Sequence, residues 1–180
     1  NSPLTALDAI ERSIHAQYRT GVTRLFPTVI TATERNIVGS LANLAKAKES
    51  IPNGAALEGF HVEGPHISPE DGPRGAHPRE AVRPPDVEEF HRWQDAARGY
   101  VRLVTLSPEW DEAPAYIEAL TKAGIVVSIG HTKATKEQLD AAVSAGATMS
   151  THLGNGAHAT MARHPNYIWE QMADDRLTAC

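Results

Sequence analysis

At 180 residues the chain fits one ordinary domain or a large piece of one, long enough to bury roughly two-thirds of its unfolded surface. Hydrophobic content of 41% and charged content of 22% are ordinary for a soluble globular protein, and a net charge of −5 argues against a nucleic-acid or anionic-membrane partner. The single Cys180 excludes an intrachain disulfide and suits a reducing, cytoplasmic setting, while no apolar run approaches the ~18–20 residues of a membrane span and Asn1-Ser2-Pro3 does not open a signal peptide.

Ser2 reads as an N-cap with Pro3 at the first helical position. Leu4, Leu7, Ile10, Ile14 and Tyr18 then recur at three- and four-residue spacing, which predicts an amphipathic helix over 3–20 that Gly21 stops. Residues 22–30 (VTRLFPTVI) are β-branched and aromatic and read as a strand with Pro27 near its end. Helical periodicity returns over 33–50, and a strand at 56–62 runs into His61-Val62-Glu63-Gly64-Pro65. Residues 64–85 are dense in Pro, Gly, His and charge, a long irregular loop of the kind that is usually functional or disordered. Asp86 caps a helix to about Arg98, followed by a strand at 101–106, a helix at 111–123 and an apolar strand at 125–129. Thr135 starts a further helix that Gly146 closes, 147–151 is a short strand, 164–173 is helical, and 177–180 begins one more strand.

Helices alternate with largely apolar strands, the pattern of a parallel sheet with helical crossovers. Five full strands and the start of a sixth fall short of the eight, over ~250 residues, of a closed (β/α)8 barrel. The chain lacks an initiator methionine, begins on a helix and stops in a strand. The expectation is a single incomplete β/α-barrel catalytic domain over 1–180, cut at both ends.

Three polar residues fall at predicted strand ends: Glu63 ends GFHVEG, His131 follows IVVSIG and His152 follows ATMST. In a parallel α/β fold the carboxyl ends of the strands share one rim, so distant residues converge there. One carboxylate and two imidazoles suit a divalent ion such as Zn²⁺, with a position left for water. Each alone reads sooner as a capping or hydrogen-bonding residue than as a ligand; it is the three on one rim that point to a metal. His61, two residues before Glu63, shares its side of the strand and reads as a supporting or packing residue.

HVEGP at 61–65, SIGHT at 128–132 and THLGNGAH at 151–158, with GVTRLFPT at 21–28 and VTLSPE at 104–109, resemble the N-acetylglucosamine-6-phosphate deacetylases of the amidohydrolase superfamily. The resemblance implies a TIM-type barrel spanning roughly helix 1 to the start of strand 7, with Glu63, His131 and His152 as metal ligands. Zinc is the foremost ion, and iron, cobalt or manganese are acceptable to the same ligands. It also implies substrate contacts at Asn155 and Gly156 after the second histidine, at Ala76 and His77 in the long loop, and at Arg163, the last reaching phosphate across a homodimer. His77 reads equally as a loop histidine without a role, and Arg163 as a solvated arginine. Gly154, where the family usually has an aromatic, and Gly156-Ala157, where it has alanine-methionine, depart from the pattern. The implied reaction is hydrolysis of the acetamido group of N-acetylglucosamine 6-phosphate, with the proton-transferring aspartate expected beyond residue 180 and the fragment inactive alone. Other acetylated sugars or cyclic amides, or non-catalytic sugar-phosphate binding, are the alternatives.

Overall fold

In the computed structural model, which describes residues 2–180, six strands form one all-parallel sheet in simple chain order. They are β1 (Thr28–Ile30), β2 (Phe60–Glu63), β3 (Val101–Leu106), β4 (Val126–Ile129), β5 (Met149–Ser150) and β6 (Thr178–Ala179). The helices are α1 (Leu7–Tyr18), α2 (Glu34–Ser50), α3 (Val87–Ala96), α4 (Ala113–Lys122), α5 (Lys136–Ser144) and α6 (Tyr167–Met172), so each successive pair of strands is joined through a helix. The result is an arc of a β/α barrel. Side-chain caps fix where most helices begin: Thr33 accepts from the Asn36 N–H, Asp86 from Glu88, Asn166 from Ile168 and Trp169, and Thr135 forms a reciprocal capping box with Gln138.

Three sequence expectations need correcting. Ser2 and Pro3 do not start the first helix: the Ser2 hydroxyl accepts the Leu4 N–H at 3.1 Å and its carbonyl the Thr5 N–H at 3.1 Å, closing a separate turn. A short hydroxyl satisfied locally competes with helix capping. The helix starts at Leu7, and its buried stripe narrows to Ile10 and Ile14, leaving Leu4 and Tyr18 exposed. The strand expected over 22–30 shrinks to Thr28–Ile30, because Pro27 has no N–H to offer; its carbonyl accepts from His61 at 3.1 Å, and Leu25 makes only an isolated bridge to Leu57. The strand expected from 56 begins at Phe60, since Gly54–Ala56 coils into a 3-10 turn.

The two faces of the arc differ in chemistry. Phe60, Val62, Val104, Leu106, Val127 and Ile129 are buried in one core with Leu41, Leu44, Trp93, Ile117 and Leu120 of the surrounding helices. Strand alternation places Ile30, His61, Glu63, Thr105, Val126 and Ser128 on the opposite, concave face. There a buried polar chain runs from Thr28 Oγ1 through both His61 ring nitrogens (3.1 and 2.7 Å) to Thr105, Thr151 and Ser128, each step 2.6–2.7 Å. Burial pushes the His61 imidazole down to about 4, so its neutral ring can donate at one nitrogen and accept at the other. Register puts Ile30, Glu63, Thr105, Ser128 and Met149 at one level across the sheet.

The long loop after β2 is docked onto the rim. Arg83 forms a paired ion bridge with buried Glu89 of α3 and also donates to the carbonyls of Ala32 and Ala81 at 3.0 and 2.7 Å. Trp110 donates to the Ile67 carbonyl at 3.2 Å, and Ser107 to that of His66 at 2.8 Å. His66 is wholly buried, stacked on Trp93 with centroids 5.4 Å apart and bonded through Nδ1 to the Arg83 carbonyl at 3.1 Å. Burial pushes it down to about 4. The folded chain therefore keeps His66 neutral while the unfolded chain protonates it below about 6.5, so stability is lost as pH falls from about 6.5 toward 4. Replacing His66 by Phe should remove on the order of 2 kcal/mol of the stability lost between about pH 7 and pH 5, measured by urea unfolding at both pH values.

Candidate metal centre

β2 ends on Glu63, whose carboxylate is buried and faces the concave side. β4 and β5 stop short of the two histidines, and the chain then turns with His131 at φ 50° and His152 at φ 30°. These left-handed conformations are rare for a residue with a Cβ and persist only where surrounding contacts fix them. Their effect is to fold both imidazoles toward Glu63. Glu63 Oε1 lies 2.8 Å from His152 Nε2 and 3.1 Å from His131 Nε2, and the two ring nitrogens are 3.2 Å apart.

Protonation follows from the partners. His131 Nδ1 is 2.9 Å from the Pro73 carbonyl, which can only accept, so Nδ1 carries a hydrogen and Nε2 is the nitrogen left to face Glu63. Burial alone would raise the Glu63 carboxyl, but the bonds with His131 and His152 outweigh it and hold it at about 2. An ionised oxygen and a ring nitrogen face each other at 3.1 Å, an arrangement that requires a proton or a cation between them. His152 Nδ1 is buried without a hydrogen-bond partner among the described residues. The donor set of two imidazoles and a carboxylate fits a divalent ion, and the carbonyl behind His131 is the usual orienting partner of a ligand histidine.

His77 stands beside this cluster. Its ring meets that of His131 edge-on with centroids 4.3 Å apart, and its Nδ1 bonds Thr31 Oγ1 at 2.7 Å. Glu63, His77 and His131 offer ligand atoms within 4.8 Å of one another, a second grouping that shares two members with the first. His152 Nε2 in turn lies 2.8 Å from Glu63 Oε1 and 3.2 Å from His131 Nε2, so both histidines flank the same carboxylate and imidazole. Burial pushes His77 down to about 4 and keeps it neutral.

The remaining sequence candidates surround the cluster to different degrees. Gly156, at φ 62°, passes so close to His131 that a Cβ there would lie 2.6 Å from Nδ1. Asn155 is exposed, its N–H bonded to the His152 carbonyl at 2.8 Å and its Oδ1 to the Gly156 N–H at 3.1 Å. Ala76 is exposed on the loop beside buried His77. Arg163 is exposed ahead of α6, its carbonyl accepting from Asn166 at 3.0 Å, and the structure does not bring it to the cluster. Asp174 precedes β6, at the amino end of the strands, and is paired with Arg176.

Two groups escaped the sequence reading. His158 bonds Glu70 Oε1 at 2.9 Å and the Tyr167 hydroxyl at 3.0 Å, while Glu70 also pairs with Lys133, clasping the long loop to the loops after β4 and β5. Glu109 binds four groups around the rim: Ser68 Oγ at 3.1 Å, Ser107 Oγ at 2.7 Å, Thr132 Oγ1 at 3.3 Å and the Lys133 N–H at 2.9 Å. The sequence signal for Glu109 is a carboxylate just past the end of β3, at the close of VTLSPE.

Six parallel strands with polar side chains converging beyond their carboxyl ends define a β/α-barrel segment with a candidate metal centre. No family model matches the chain. It is 40% identical over 158 residues to the N-acetylglucosamine-6-phosphate deacetylase of Bacillus subtilis strain 168, covering 86% of this chain and 39% of that protein. It is 30% identical over 171 residues to the N-acetylgalactosamine-6-phosphate deacetylase of Escherichia coli O157:H7, covering 95% of this chain and 45% of that one. Among solved structures, N-acetyl-D-glucosamine-6-phosphate deacetylase from Mycobacterium smegmatis superposes with a TM-score of 0.85 at 35% identity, covering 96% of this chain and 44% of that one. A mutant of that enzyme was solved in complex with N-acetyl-D-glucosamine-6-phosphate. The chain is a relative of the N-acetylglucosamine-6-phosphate deacetylases in both sequence and fold. It spans less than half the length of the relatives it matches.

Gly154 provides a control for Gly156. Both have positive φ, but a Cβ at 154 meets nothing within 4 Å, whereas one at 156 collides with the His131 ring. Gly156→Ala is therefore expected to weaken zinc binding about tenfold or more and Gly154→Ala far less, as read by calorimetric titration.

Proposed function

We propose that this chain carries the metal centre and part of the sugar-phosphate site of an N-acetylglucosamine-6-phosphate deacetylase, releasing glucosamine 6-phosphate and acetate in amino-sugar catabolism. The observation that carries the reading is the convergence of Glu63 Oε1, His131 Nε2 and His152 Nε2 within 3.2 Å, on a chain 40% identical to such an enzyme. These three residues hold one divalent ion, zinc foremost, with iron, cobalt or manganese accepted by the same ligands. When bound, such an ion supplies a water nucleophile near neutral pH and polarises an amide carbonyl.

The chain's own residues do the holding and orienting. Glu63 stays ionised across the physiological range, so metal binding need not displace a proton from it. The Pro73 carbonyl fixes the His131 tautomer that leaves Nε2 free. His77, neutral and buried beside the ligands, offers an imidazole to orient a substrate carbonyl or hydroxyl. Ala76, Asn155 and Gly156 present backbone and amide groups to the sugar phosphate, and Gly156 allows the anion-binding turn to approach closely. Exposed Arg163 suits a phosphate held by a second subunit, since a guanidinium offers paired donors in a plane. Asp174 is at the far end of the strands, engaged with Arg176, so no group within the chain is assigned the proton transfer and the chain alone is expected to be inactive.

One observation favours a second reading. Gly154 opens the loop that follows His152, with nothing within 4 Å of a Cβ at that position, and a relative acts on the galactose epimer by name. A wider pocket would accept another acetylated amino-sugar phosphate. The test is acetate release from N-acetylglucosamine 6-phosphate and N-acetylgalactosamine 6-phosphate by the protein that contains this chain, before and after chelation. Turnover of N-acetylglucosamine 6-phosphate that disappears with the metal supports the proposal; activity surviving complete metal removal contradicts it. In the chain itself, His131→Ala or His152→Ala is expected to weaken zinc binding at least about tenfold, and unchanged affinity by calorimetry would remove that residue from the ligand set.

A further inference from the structure

His131 occupies a backbone conformation that few residues with a Cβ adopt, at φ 50°, and contacts from elsewhere in the fold must hold it there. The residues next to it show what does. The Lys133 N–H donates to Glu109 Oε2 at 2.9 Å, and Thr132 Oγ1 reaches the same oxygen at 3.3 Å. On the other side, the His131 carbonyl accepts the Ser68 N–H at 2.9 Å, while the Ser68 hydroxyl bonds Glu109 Oε1 at 3.1 Å. Ser107, at the end of β3, lies 2.7 Å from Oε2 and 2.8 Å from Thr132 Oγ1. Ser68, Ser107 and Thr132 are all buried. One carboxylate therefore ties together the loops after β2, β3 and β4 at the point where the last of them delivers His131.

We infer that Glu109 is a positioning residue for the metal centre, acting through the loop after β4 to keep His131 Nε2 aimed at Glu63. The inference rests on the reading of Glu63, His131 and His152 as metal ligands. Glu109 bonds neither the ligands' side chains nor His77; its partners are hydroxyls and an N–H that lock backbone. Removing it leaves the Lys133 N–H and the clustered hydroxyls without their common acceptor, so that His131 is held in the left-handed region only by the Ser68 N–H at its carbonyl and the Pro73 carbonyl at its Nδ1. Loss of such outer contacts typically lowers metal affinity about 10- to 100-fold.

The carboxylate's two oxygens have unequal tasks, which supplies a rescue test. Oε2 faces Ser107, Thr132 and the Lys133 N–H, whereas Oε1 faces Ser68 alone. A glutamine can place its oxygen on the crowded side and its amide toward Ser68, whose hydroxyl can rotate to accept. Zinc affinity of the purified chain is measured calorimetrically for the unaltered protein and for Glu109→Ala, Glu109→Gln and Glu109→Asp, with thermal melting of each metal-free form. Ile117→Val, a core change on α4, controls for lost stability alone. The expected pattern is about a tenfold or larger loss for Ala, a loss of several-fold for Asp, whose shorter stem cannot span the same donors, and near-normal affinity for Gln and for Ile117→Val. If Ala does not fold, the contrast between Asp and Gln decides. Equal affinities for Asp and the unaltered chain, or a loss in Ala no larger than in an equally destabilised Ile117→Val, would overturn the inference while leaving the metal site standing. Absence of zinc binding by the unaltered chain would instead overturn the reading on which it rests.

Discussion

A carboxylate oxygen and two imidazole nitrogens within 3.2 Å of one another, in a largely buried place, repel unless positive charge lies among them. Holding them there is the constraint around which the rim is arranged. Sheet register sets Glu63 level with Ser128 and Met149, and the two left-handed turns beyond β4 and β5 bring the histidines back to it. The Pro73 carbonyl then decides which nitrogen of His131 keeps its hydrogen. The long loop after β2 is thereby coupled to the site, since it supplies Pro73, Ser68 and His77 from a single stretch of chain.

The work of stability and the work of the site are divided between the two faces of one sheet. The helix-facing residues are aliphatic and aromatic and wholly buried, from Phe60 and Val62 to Val127 and Ile129. The concave face carries hydroxyls and histidines at the same register levels, and they satisfy one another in a continuous chain from Thr28 to Ser128. A closed polar network of this kind rigidifies the platform under Glu63 without placing a competing charge beside it, because His61 is neutral. Above the rim, Glu70 with His158 and Lys133, and Glu109 with its four partners, hold the loops in register with one another.

Much of this was legible in the sequence for specific reasons. Helix–strand alternation and the short turns predicted the parallel sheet, and Asp86 and Thr135 marked helix starts because hydroxyl and carboxylate caps work locally. Glu63, His131 and His152 could be grouped because parallel strands share one rim, a rule of topology that needs no coordinates. The failures are equally physical. Ser2 had the right chemistry for a cap but closed a turn of its own, and Pro27 cut β1 short through a missing donor. Glu109 and His158 act through partners far apart in sequence, Ser68 and Thr132 in one case and Glu70 in the other, and no local pattern encodes such pairings. His66 gave no sequence signal, yet it is wholly buried and stacked on Trp93.

The most direct measurement of the central claim is zinc X-ray absorption on the chain loaded with one equivalent of metal. The expected spectrum shows one zinc with nitrogen and oxygen neighbours at about 2.0–2.1 Å and the outer-shell scattering of two imidazoles, and loses one imidazole in His152→Ala. Sulfur scattering from Cys180, fewer than two imidazoles in the unaltered chain, or a spectrum unchanged by that substitution would contradict it.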